Sequence, residues 1–346
     1  MTRVALEDKT YIKRNFFTCA EDRPLIVQFC GNDPEVISKA CELVQDRCNA
    51  VDINLGCPQG IARKGHYGSF LLESPDVILG MVRKMSFNLT VPVCCKIRIL
   101  PEKAKSLDLC QKIEQAGCSI LTVHGRTKEQ NKHKVGNCDW EIIKQIKELA
   151  KIPIFSNGGV HYYEDVVACF EATGVDGVMS AEALLENPAL FSGKLHDLDK
   201  LASEYLELWG QYNGQRRWLK PHLFKILHRG LKENTDLRSR LGQAREMPDF
   251  RAVVNELAER RKGVLVADKF GWYERYQSYN KPNRGGKGKG VEKKKGGKVK
   301  LVVDGDAKGG AGSGKEGLGG AGKDPGAELG KRSLNQLNGG ENGGDK

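Results

Sequence analysis

The sequence predicts an α/β fold of the TIM-type (β/α) barrel class. Short, apolar, unalternating strands are separated by amphipathic helices, as in parallel strands covered by helices. The polar residues of this region fall late in the strands or on their exit loops, where a parallel barrel gathers its chemistry. No G-x-G-x-x-G follows the first strand, so a doubly wound dinucleotide fold is second choice.

Residues 1–24 read as an irregular segment, with only Arg3 to Leu6 hinting at a strand. Leu25 to Phe29 is the first convincing strand. Asp33-Pro34 then opens a helix by capping and by a fixed φ, with Val36, Ile37, Ala40, Leu43 and Val44 at helical spacing. Ala50 to Leu55 is a buried strand, apolar except for Asp52 and Asn54, and Gly56-Cys57-Pro58 ends it. Ser74-Pro75 starts the next helix in the same way. A strand at Val93 to Ile99 leads to a helix over about 102–116, ended by Gly117. The alternation continues through a strand and loop at Ile120 to Arg126, a helix at Asp139 to Ala150, and a strand and loop at Ile152 to Gly159. A helix at Tyr162 to Thr173 and the segment Gly177 to Glu182 close the series. That makes six strands, whereas a closed barrel has eight. The first 24 residues cannot hold two strand–helix units of about 30 residues each. The expectation is a barrel missing its first two strands.

The boundaries follow as a remnant at 1–24, a barrel segment at 25–196, a helical domain at 197–280 and a tail at 281–346. In the helical domain, helices are expected at Leu201 to Tyr212, Leu219 to Lys232 and Phe250 to Lys262. They carry Trp209, Trp218, His222, Lys225, His228 and Arg229, a set that suits either an RNA grip or a solvated bundle. Gly and Lys dominate the tail, which is expected to be disordered because it has too little apolar surface to offset its ordering entropy. Gly309 to Lys315 matches G-x-x-x-x-G-K, but Glu316 stands where a phosphate loop needs Ser or Thr, and no helix follows.

A formal net charge of +11 points to a polyanionic partner, nucleic acid ahead of membrane. Eleven cysteines without framework spacing argue for reduced thiols in the cytoplasm or nucleus, and no secretory signal or long apolar run is seen. The absence of C-x-x-C and H-E-x-x-H argues against a metal site.

Cys57 alone reads more readily as a small buried apolar side chain than as a functional thiol. The strand ends change that balance. Gln28, Asn54 with Cys57, Lys96 with Arg98, His124 with Arg126, Asn157-Gly158-Gly159 and Ser180-Ala181-Glu182 all converge on one mouth. Gln28 and Asn54 offer donor–acceptor pairs for a heterocycle, and Lys96 supplies a cation for an anionic ring edge. The Asn157–Gly159 loop precedes a helix, which suits a phosphate. FMN fits this set better than a dinucleotide.

Asn54-Leu55-Gly56-Cys57-Pro58-Gln59, Lys96-Ile97-Arg98, Thr122 to Thr127 and Ser156 to Gly159 together resemble the tRNA-dihydrouridine synthases. Gly65-His66-Tyr67-Gly68 and Met179 to Glu182 look like the eukaryotic subfamily acting on uridines 16 and 17 of the D-loop. The resemblance implies an FMN barrel with a helical tRNA-binding domain, reduced by NADPH or NADH, which passes hydride to C6 of a uracil. It implies Cys57 as the acid that protonates C5. It implies Gln28, Lys96, His124, Asn157, Gly158, Gly159, Ala181 and Glu182 as flavin contacts, with Asn54, Arg98 and Arg126 toward the substrate. Two departures stand out. Ala181-Glu182 replaces a Gly-Arg common in the family, and the family's opening Pro-Met strand and the strand after it are not found. The alternatives are another FMN barrel oxidoreductase acting on a small molecule, and a non-catalytic RNA-binding protein.

Overall fold

The structure, a computed structural model, describes residues 2–8, 10–131, 134–194 and 196–262. The tail and the last part of the expected helical domain lie outside the described residues.

In chain order the first elements are α1 (Thr2–Glu7), α2 (Tyr11–Asn15), β1 (Ile26–Phe29), α3 (Pro34–Glu42), β2 (Ala50–Leu55), α4 (Gly60–Lys64) and α5 (Pro75–Asn88). They continue as β3 (Val93–Arg98), α6 (Lys103–Gln115), β4 (Ile120–His124), α7 (Trp140–Leu149), β5 (Ile154–Asn157), α8 (Tyr163–Thr173), β6 (Gly177–Met179) and α9 (Glu182–Glu186). All six expected strands form. The Asp33 carboxylate caps α3 by accepting from the N–H groups of Glu35 at 3.0 Å and Val36 at 3.2 Å. Ser74 differs, since its hydroxyl makes no capping bond and Pro75 alone marks the start of α5.

The amino-terminal expectation is corrected. Residues 2–7 and 11–15 are helices, not irregular chain, and the strand hint at Arg3 to Leu6 is wrong. A helical turn makes some of its backbone bonds within itself, whereas a strand there would need a ladder partner. Helix α1 packs on α3 with Ala5 buried, and the Thr2 hydroxyl donates to the Cys30 carbonyl.

The strands form one parallel sheet in the order β1-β2-β3-β4-β5-β6. A doubly wound sheet would place a later strand beside β1 on its other side, so the sequential order excludes that second choice. Among the described residues, β1 and β6 each have one strand neighbour.

Side chains alternate across the sheet. Val51, Ile53, Leu55, Cys95, Ile97, Leu121, Val123 and Ile154 face the helices and share one core with Ile78, Met81, Val82, Met85, Ile113, Ile142 and Ile146. The other face carries Gln28, Asp52, Asn54, Lys96, Thr122 and His124. Each of the six strands contributes to the lining of one cavity there, so the sheet is curled. Ala50, Cys94, Ile120 and Phe155 make a small apolar cluster on that face, each lying before the polar residues of its strand.

Beyond the sheet lie α10 (Leu198–Gln211), α11 (Arg216–Ile226), α12 (His228–Glu233), α13 (Thr235–Gln243) and α14 (Met247–Arg260). Among the described residues, five helices replace the three expected. The run from Leu219 to Lys232 breaks at Leu227, and α13 is so polar that only Leu237 and Leu241, both buried, mark its inner face. These helices bury their own core, which continues into Val160, Val166, Ala183 and Leu190, and they belong to the same compact unit as the sheet.

Candidate functional site

The exit of β2 is tied down before any chemistry is considered. Asn54 Oδ1 accepts from the N–H groups of Gly56 at 3.1 Å and Cys57 at 3.0 Å, folding the chain sharply after the strand. The Cys57 carbonyl accepts from both the N–H and the hydroxyl of Ser69, at 3.1 Å and 3.0 Å. Gly68, at φ +66, sits so close that a Cβ there would stand 2.8 Å from the Cys57 oxygen. The thiol itself is partly exposed to the cavity.

Asn54 also donates from Nδ2 to Gln28 Oε1 at 2.8 Å, and Gln28 Nε2 donates to Asp52 Oδ2 at 2.6 Å. Burial pushes the Asp52 carboxyl up from 3.8 to about 6, against the pull of the Gln28 bond and the Lys96 charge. Lys96 Nζ donates to Asn157 Oδ1 at 2.8 Å, and Asn157 Nδ2 donates to the Met179 carbonyl at 2.8 Å. Burial lowers the Lys96 ammonium from 10.5 to about 8, with the Asp52 carboxylate opposing and Arg98 assisting.

Arg98 is nearly buried, and its guanidinium spans two loops. Nε donates to the Gly56 carbonyl at 2.9 Å, while one terminal nitrogen donates to the carbonyls of Thr127 at 2.9 Å and Gln130 at 3.2 Å. His124 is driven down from 6.5 to about 2 by burial and by the charges of Arg98, Lys96 and Arg126, so it is neutral. A guanidinium only donates, so the 3.3 Å contact from Arg126 makes His124 Nε2 the acceptor and places the ring proton on Nδ1. Arg126 Nε donates to the Gly136 carbonyl at 3.2 Å.

After β5 the backbone turns left-handed at Gly158 (φ +95) and Gly159 (φ +79). A Cβ on Gly158 would stand 2.7 Å from the His124 ring, and one on Gly159 would stand 3.2 Å from Trp140 Nε1. Only glycine gives the backbone this path and this closeness.

Two adjoining cavities gather the expected residues. The first, of about 400 Å³, is lined by Gln28, Asn54, Cys57, Lys96, Arg98 and His124. The second, of about 320 Å³, is lined by Arg126, Asn157, Gly158, Gly159, Ala181 and Glu182. Arg98, His124 and Met179 line both. Thus the structure brings every expected site residue to one end of the sheet. Sequence reasoning missed Asp52, Gln130 and His161, which line the same space. Asp52 was detectable, because it lies two residues before Asn54 and so faces the same way. Gln130 and His161 lie on loops and carried no periodic signal.

Among the described residues no group of three or more His, Cys, Asp or Glu could hold a metal ion. No described helix is long and apolar enough to cross a membrane.

A mouse (Mus musculus) protein named tRNA-dihydrouridine(16/17) synthase NAD(P)(+)-like is 42% identical over 315 residues, covering 87% of this chain and 65% of the relative. A rat (Rattus norvegicus) protein of the same name is 44% identical over 276 residues, covering 77% of this chain and 63% of the relative. A fission yeast (Schizosaccharomyces pombe) tRNA-dihydrouridine(16/17) synthase NAD(P)(+) is 41% identical over 286 residues, covering 78% and 72%. The chain therefore spans somewhat less than two thirds of the length of the two rodent relatives. The dihydrouridine synthase (Dus) family model matches residues 1–258, and the chain belongs to that family.

Proposed function

We propose that this chain reduces uridine to 5,6-dihydrouridine in the D-loop of tRNA, with FMN as its cofactor and NADPH or NADH as reductant. The observation that carries the reading is the convergence of Cys57, Asn54, Lys96 and Gln28 on one cavity at the strand ends, in a chain of this family. Six parallel strands in sequential order support the finer reading of the sheet as part of a TIM-type barrel.

The residues present fit a flavin mononucleotide. The first cavity offers Gln28 amide atoms and a partly buried cation in Lys96, and the second offers a glycine cradle too tight for any Cβ. When bound, reduced FMN supplies the hydride for C6 of the uracil. Gln28, Lys96 and His124 would hold the ring end, and Asn157, Gly158 and Gly159 with Ala181 and Glu182 would hold the phosphate end. Glu182 brings negative charge where an arginine is common in the family; Arg98 and Arg126 line the same cavity and offset it. Lys96 stays in place through Asn157 and carries positive charge at neutral pH, which favours an electron-rich ring edge.

Cys57 gives its thiol proton to C5, so that hydride and proton together saturate the C5–C6 bond. Asn54 keeps a second amide hydrogen for the uracil edge. Arg126 faces the same side, and Arg98 shapes it by holding the Gly56 and Thr127 carbonyls. A target base has to leave its stack to enter such a cavity. The basic charge of the chain suits the RNA backbone. Eleven free thiols support a reducing compartment, cytoplasm or nucleus.

The test is a comparison of the purified chain with its Cys57→Ala variant. A yellow variant that keeps its flavin band and binds tRNA but stops forming dihydrouridine supports the reading. A colourless parent that still retards tRNA favours the binding-only alternative.

A further inference from the structure

We propose that Asp52 is a positioning residue: its carboxylate fixes the direction of a hydrogen-bonded relay that runs through Gln28 and Asn54 to the backbone of the Cys57 loop. Its functional meaning rests on the reading of Cys57 as the proton donor; the relay itself does not.

The argument is one of polarity. The N–H groups of Gly56 and Cys57 can only donate, so the side-chain atom of Asn54 that meets them is its oxygen. That turns the Asn54 amide nitrogen toward Gln28, which must answer with its own oxygen. The Gln28 nitrogen is then left facing inward and needs an acceptor, which Asp52 Oδ2 provides at 2.6 Å. Each amide has one orientation that satisfies both its neighbours. Reversing either one sets donor against donor somewhere along the chain.

The sheet builds this line without help from loops. Gln28 pairs in register with Asp52 across β1 and β2, and Asn54 lies two residues further along the same face of β2. Asp52 is 7% exposed, so water does not substitute for its partners. The charged and titratable groups around it are Lys96, Cys94 and Cys95, all on β3; β1 contributes the Gln28 amide. An ionised carboxylate is a pure acceptor and holds the direction of the relay firmly. Once protonated it becomes a donor as well, and the constraint on Gln28 weakens.

Residue-resolved hydrogen exchange on the protein without flavin, reductant or RNA reads the relay at its far end. Asp52→Leu removes the acceptor. Protection of the Gly56 and Cys57 N–H groups should then fall about tenfold, the worth of one hydrogen bond, while Ile53 and Leu55 keep theirs. Asp52→Asn retains an acceptor oxygen and should restore most of that protection. Gln28→Met, on the exposed edge strand, breaks the same line without disturbing the interior and should match Asp52→Leu. Across pH 5 to 8, protection at Gly56 and Cys57, corrected for intrinsic exchange, should rise with pH in the parent and stay flat in Asp52→Asn. Unchanged protection in a folded Asp52→Leu or Gln28→Met protein overturns the proposal. So does a loss spread equally over β2, or parallel pH profiles for parent and Asp52→Asn. Because no substrate enters the measurement, a failed relay is distinguishable from a failed role for Cys57.

Discussion

Lys96 and Cys57 line a single cavity of about 400 Å³, although one comes from the middle of the sheet and the other from a loop beyond β2. Asn54 connects them, since it pairs in register with Lys96 and holds the Cys57 N–H on its side-chain oxygen. A partly buried cation and a loop thiol thus face the same space.

Lys96 gives the first prediction. Its folded value of about 8 lies below the ordinary 10.5, so its contribution to stability is fully present above 10.5 and is lost as pH falls through about 8. Charge behaves in the opposite sense, being present below about 8. Flavin retention should weaken as pH rises from 7 to 9 in the parent, and Lys96→Met should hold less flavin at pH 7 without that dependence. Flavin fluorescence after ultrafiltration measures both, and equal content in parent and variant would contradict the role.

Asp52 behaves in the reverse manner. A folded value of about 6 against 3.8 means that its contribution is present below 3.8 and is lost as pH rises through about 6. That displacement corresponds to up to about 3 kcal/mol. Asp52→Asn should therefore gain stability relative to the parent between pH 4 and pH 7. Urea unfolding at the two pH values reads the difference.

His124 titrates in the acid range. Its folded value of about 2, below 6.5, makes its contribution present above 6.5 and progressively lost as pH falls toward 2. His124→Gln should lose less stability than the parent between pH 6.5 and pH 4, again by urea unfolding. A steeper acid loss in the variant would show that His124 is not held neutral.

Gly158→Ala tests the cradle. With φ at +95 and the new Cβ only 2.7 Å from the His124 ring, the substitution should cost about 1–3 kcal/mol. It should also lower flavin content by crowding the second cavity, which Gly158 lines beside His124. Calorimetry and absorbance separate the two effects, and full flavin content would remove the phosphate end from this loop.

Much of the frame was legible in the sequence because its signals are local. Apolar runs ending in Gly or Pro mark the first five strands, and Asp33-Pro34 marks the start of α3 as the structure has it. Helix α1 was not legible, because a run of apolar residues this short suits either period and only packing on α3 decides between them. The break at Leu227 and the polar helix α13 likewise depend on tertiary contacts. The site residues could be found because strand ends converge, but their bonding partners could not. Arg98 reads as a free cation until the 127–130 loop is seen to place two carbonyls on it. Asp52 reads as a stray acid until the sheet register sets it opposite Gln28.

Dihydrouridine formation on unmodified tRNA, by the flavin-loaded chain with NADPH and by its Cys57→Ala variant, tests the central claim most directly. The account predicts product from the parent, and a rate at least about 100-fold lower from a variant whose flavin band is unchanged. Equal rates from the two proteins would contradict it.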